Sequence, residues 1–146
     1  VYPLEALKLA GVDGSLLNHA ERRVPFPYIA DGLNRAREVG FFTLVCAKDL
    51  KEAKEIAALK PDAVAIEPPE LIGGDISVST ASPNIIRDAV LQIAGVPIIV
   101  GAGVKTAEDI RIALRLGAKG VLVASGVTKA KDPRAVLVEF AKALIS

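Results

Sequence analysis

Residues 82–103 read SPNIIRDAVLQIAGVPIIVGAG, and the order of events in this stretch decides the fold. Ser82 and Pro83 supply a helix N-cap and a proline at the first helical position. Ile86, Ala89, Val90 and Ile93 then recur on one helical face, and Gly95 stops the helix. The apolar run Val96 to Val100 follows at once, too short for another helix, and the glycines of Gly101-Ala102-Gly103 close it. A helix feeding a short, wholly apolar strand is part of a β/α repeat, and a strand that reads as continuous Val and Ile is buried on both faces.

The same pattern extends in both directions. Apolar runs at Ser15 to Asn18, Phe41 to Ala47, Ala63 to Ile66 and Val121 to Ala124 make five strands in all. Between them lie helical patterns with clear ends. One starts near Pro27, buries Ile29, Leu33 and Ala36, and closes at Gly40. Asp49 with Glu52 resembles a capping box, and Thr106 precedes the stripe Ile110, Ala113, Leu114 before Gly117. Asp132 and Pro133 open the last helix, whose expected buried face is Leu137, Phe140, Ala141 and Leu144. A short helix from Pro3 to Ala10, ended by Gly11, has no strand before it, so the chain is expected to begin inside a β/α unit. Five parallel strands with crossover helices are predicted, in one domain.

Composition narrows the function classes. In 146 residues, 51% are hydrophobic and 24% charged, the balance of an ordinary globular domain. Lys and Arg total 18 against 17 for Asp and Glu, which argues against nucleic acid or an anionic membrane surface as partner. Small molecules or further copies of the chain are the expected partners. The single cysteine, Cys46, sits in an apolar run and excludes an intramolecular disulfide, and no stretch has the length of a membrane span or the pattern of a leader, so a cytoplasmic location is expected.

The polar residues cluster at the carboxyl ends of the strands, where ligands bind in β/α folds. Asn18, His19 and Glu21 follow the first strand, and His19 is the only histidine. Glu67 ends the third, in Ile66-Glu67-Pro68-Pro69-Glu70-Leu71-Ile72-Gly73-Gly74, where partial withdrawal from water suits a general base. Gly101-Ala102-Gly103 and Ala124-Ser125-Gly126 end the last two strands, and small residues there let backbone N–H groups approach an anion. No motif calls for a metal or a cofactor.

Asn18-His19-Ala20-Glu21-Arg22-Arg23, Val45-Cys46-Ala47, Ile66-Glu67-Pro68-Pro69-Glu70-Leu71-Ile72-Gly73 and Gly101-Ala102-Gly103-Val104 together resemble triosephosphate isomerase, and the double proline with Glu-Leu-Ile-Gly resembles its archaeal branch. The resemblance runs from end to end of the chain and matches the last five β/α units of that barrel. It implies that His19 is the neutral electrophile, Glu67 the base, and Glu21 part of the same catalytic set. It also implies that residues 68–74 form the lid, and that Gly73, Gly103, Ala124 and Ser125 hold the substrate phosphate. Ala20 stands where the family usually has serine. The family's first three units, with the lysine and asparagine of its first strand, have no counterpart in these residues. Isomerase activity is therefore expected to be lost or very weak. The alternatives are a phosphate-binding module for a sugar phosphate or flavin mononucleotide, and a fragment complementing a chain that supplies three units. An aldolase of the Schiff-base type is disfavoured because Lys105, Lys129 and Lys131 fall in loops.

The expected architecture is a partial TIM barrel, a (βα)5 parallel sheet with an extra N-terminal helix, open like a flavodoxin or Rossmann sheet and not closed. Right-handed crossovers in sequential order put every helix on one face. By the resemblance, Leu17, Phe42, Leu44 and Ala65 lie on the other. A bare five-strand face exposes about 400 Å², which at about 25 cal/mol per Å² forgoes about 10 kcal/mol. A homodimer that buries this face, or the N-terminal helix folded over it, is the expected remedy.

Overall fold

The computed structural model describes residues 3–146. Among them five strands form one parallel sheet in chain order: β1 Gly14–Leu17, β2 Phe42–Ala47, β3 Ala63–Ile66, β4 Ile98–Val100 and β5 Gly120–Val121. The sheet is open, as expected. Its sequential order is that of a barrel wall with no closing strand. The helices are α1 Leu4–Leu9, α2 Phe26–Val39, α3 Leu50–Ala57, α4 Val78–Ala81, α5 Pro83–Gln92, α6 Ala107–Arg115, α7 Ser125–Thr128 and α8 Pro133–Ile145. Of these, α4 and α7 are single turns that carry no periodic stripe, and the sequence pattern did not predict them.

Side-chain capping explains half of the helix starts, those of α3, α4, α6 and α8. Asp49 accepts from Glu52 N (2.8 Å) and Asp132 from Ala135 N (3.0 Å). Thr106 and Asp109 form a complete reciprocal box at α6. Glu52 does not return the bond to Asp49; it accepts from Lys48 N and pairs with Arg23 instead.

One core lies between the sheet and the helices. Val45, Ala47, Val64, Ile66, Ile98 and Val100 point into it and meet Ile29, Leu33, Ile56, Ile86, Ile110 and Phe140. At β1 the inward residue on this side is Leu17, which packs against the core. The residue on the opposite face is Leu16, in register with Leu44, so the expected side for Leu17 is corrected by one position. A strand's side-chain period is two, and Asn18 leaves the strand at φ 63°, one residue before the apolar pattern suggests.

The opposite face is unevenly bare. Phe42 is 50% exposed and Leu16 47%, while Cys46, Ala63 and Ala65 on the same face are buried, because small side chains lie low between larger neighbours. The helix α1 does not cover it. It sits beside α2, tied by Lys8 Nζ to Gly40 O (3.0 Å) and by the pair Glu5–Arg35, and buries no residue.

The last helix also differs from expectation. Phe140 is buried, but its companions are Ala143 and the half-buried Val136, while Leu137 (54%) and Leu144 (44%) are exposed and so is Ala141. Both stripes have i, i+4, i+7 spacing, so periodicity alone cannot choose between them.

Candidate functional site

His19 is placed by the turn after β1. Asn18 in the left-handed region turns the chain, and its buried side chain donates to Cys46 O (3.0 Å) and accepts from Val24 N (3.1 Å). Arg23 donates to Asn18 O (3.2 Å) and pairs with Glu52. Burial alone would raise the Glu52 carboxyl, but Arg23 and the Lys48 N–H outweigh it and hold it below the ordinary carboxylate range. The histidine therefore stands on a hydrogen-bonded polar platform. Its Nδ1 accepts from Glu21 N (3.3 Å), so in the neutral ring the proton lies on Nε2.

That Nε2 faces Glu67. The carboxylate is 7% exposed, its Oε2 lies 3.6 Å from His19 Nε2, and Oε2 has no hydrogen-bond partner. Buried carboxylate oxygens are normally satisfied, and one left open facing a cleft keeps its lone pairs for a ligand. Gly101 makes room for it. A Cβ there would lie 2.3 Å from Glu67 Oε1, so the side chain can cross the β4 turn only over glycine. Below the pair lies Cys46, whose thiol is pushed well above its ordinary range by burial and then by the Glu67 carboxylate.

Three backbone segments close the site. Gly103, at φ 68°, packs so tightly under Ile76 O that a Cβ would stand 2.1 Å from it. Gly126 packs in turn against Val104 O, where a Cβ would stand at 2.9 Å. The segment after Glu67, the β4 turn and the β5 turn thus interlock. Between them opens a cleft of about 280 Å³ that is lined by His19, Glu21, Glu67, Gly73, Gly103, Ala124 and Ser125. All seven residues singled out in the sequence meet there. Among the described residues, the N–H groups of Gly73, Gly103 and Ser125 donate to no backbone acceptor.

The cleft also contains residues that the pattern did not indicate. Leu16 lines it, and so does Lys105, which pairs with Asp75 on the segment after Glu67. Lys105 N is held by Asp109 Oδ2 (3.0 Å), so the α6 cap positions this lysine. Its place in a loop hid it, because a loop lysine has no periodicity to give it a side.

A sequential parallel sheet with its polar cleft at the carboxyl ends of the strands defines the β/α-barrel class of proteins. The solved structures agree on the fold. The chain overlays thiamine phosphate pyrophosphorylase from Pyrococcus furiosus with TM-score 0.74 at 19% identity, over 98% of this chain and 64% of that one. An archaeal fructose 1,6-bisphosphate aldolase gives TM-score 0.74 at 17% identity, over 98% and 62%. The family model for triosephosphate isomerase matches residues 2–144. Curated triosephosphate isomerases are similar in sequence: that of Thermoplasma volcanium is 48% identical over 89% of this chain and 62% of its own length. That of Metallosphaera sedula is 44% identical over 97% and 63%. The chain belongs to the triosephosphate isomerase family, and it spans less than two thirds of the length of these relatives.

Proposed function

We propose that the cleft binds a triose phosphate, with its phosphate at Gly73, Gly103, Ala124 and Ser125 and its reacting carbons between His19 and Glu67. Glu67 takes a proton from one carbon and returns it to the neighbour, while the Nε2–H of His19 polarises the carbonyl oxygen. Glu21, through its backbone N–H, keeps His19 in the required tautomer. The observation that carries this reading is the unpartnered Glu67 Oε2 facing His19 Nε2 at 3.6 Å inside the cleft that also holds the glycine turns.

Residues 1–146 by themselves turn over weakly or not at all in this proposal. The family's first-strand lysine and asparagine have no counterpart in them, and losing one preorganised donor typically lowers the rate by about a hundredfold to a thousandfold. A coupled assay with glyceraldehyde 3-phosphate tests this. Turnover within about tenfold of a curated relative would contradict the weak-activity proposal, and a Glu67→Gln variant as active as the native chain would contradict the assigned base.

The exposed Leu16 and Phe42 support one proposal about partners, that a second copy covers this sheet face. The share of the relatives' length spanned here supports another, that a polypeptide carrying three further β/α units completes the site. Co-expression with such a segment, followed by the same coupled assay, tests the latter: restored turnover supports it, and failure to associate rejects it.

A further inference from the structure

Beside the cleft lies a second, more open cavity of about 340 Å³, lined by Gly73, Lys105, Ser125, Gly126, Lys129 and Ala130. It shares Gly73, Lys105 and Ser125 with the cleft, so the two cavities meet at the turns assigned to the phosphate. Neither Asp nor Glu is among the residues that line it, and two lysines are. Lys105 is paired with Asp75, which is itself almost fully exposed, and such a pair in water holds its charge only weakly. Lys129 caps the turn of α7, its N–H donating to Ser125 O (3.1 Å), and has no ion pair among the described residues. A triose monophosphate has nothing to place there.

We propose that this cavity is a second anion subsite, and that the chain binds diphosphates more tightly than monophosphates. The two phosphoryl groups of a diphosphate share one oxygen and sit side by side, as the two cavities do. The first group takes the N–H groups of the glycine turns, and the second lies between the ammonium groups of Lys105 and Lys129. This deepens the phosphate assignment made above and rests on it.

Titration calorimetry on the native chain with orthophosphate and with pyrophosphate, without added metal, tests it. Pyrophosphate is expected to bind about tenfold tighter. Lys129→Gln should remove most of that advantage while leaving orthophosphate affinity within about twofold. Lys142→Gln, on the exposed side of α8, removes the same charge elsewhere and should leave the advantage intact. Orthophosphate binding with no preference for pyrophosphate, or a preference that survives Lys129→Gln, would overturn the subsite alone. Binding of neither anion would overturn the phosphate assignment and the subsite with it.

Discussion

Glu67 combines burial with an open lone pair, and its position depends on the residue across from it. Replacing Gly101 by alanine puts a methyl carbon 2.3 Å from Glu67 Oε1, far inside van der Waals contact, so the side chain must swing away from His19. Gly101→Ala is expected to cost about 1 to 3 kcal/mol by urea unfolding and to abolish any isomerase turnover. Cys46 offers a second check at this scale. Its thiol is buried and its ionisation is pushed upward, so a thiol reagent at pH 8 should leave the native chain unmodified and react fully after unfolding. Of the residues that line the cleft, Glu21, Ala124 and Ser125 were assigned roles only by the family resemblance, while His19, Glu67 and the glycine turns were legible as conspicuous residues at strand ends. Lys105 and Leu16 were not. A lysine among loop lysines and a leucine beside another leucine have no such mark, and only the strand register decides which leucine faces which way.

Among the elements, the start of α6 does the most to position the cleft, since Asp109 holds both Thr106 N and Lys105 N. Thr106→Ala should cost about 1 kcal/mol in urea unfolding. Burial alone would raise the Asp109 carboxyl, but the N–H groups of Lys105 and Thr106 hold it below its ordinary value. A depressed folded pKa means its contribution is present above the unfolded value, about 3.9, and is lost as pH falls through the folded one. The stability gap between native chain and Asp109→Asn should therefore be constant from pH 7 to about 5 and shrink below about 4 in acid unfolding curves. At α8 the elements were harder to read. Existence and start followed from Asp132-Pro133, but two adjacent stripes shared one spacing, and Phe140 with Ala143 prevailed over Leu137 with Leu144. Phe140→Ala is expected to cost about 3 to 5 kcal/mol, whereas Leu137→Gln should cost under about 0.5.

For the whole molecule, the decisive quantity is the apolar surface left on the sheet. Its strongest part is the β1–β2 half, where Leu16 and Phe42 stand out, while Cys46 on β2 and Ala63 and Ala65 on β3 are buried. Light scattering is expected to find a dimer, and the double change Leu16→Lys with Phe42→Lys should give a monomer that stays folded by circular dichroism. A native chain that is monomeric at high concentration would reject the second-copy proposal. The parallel sheet and its openness were legible from the strand count, while the partial shielding of the face depended on side-chain size in three dimensions. The strand order has a further effect on how the molecule is made. Each strand pairs only with its neighbours in the chain, so every unit can dock onto the one synthesised before it as it leaves the ribosome, and no later segment must thread between earlier ones.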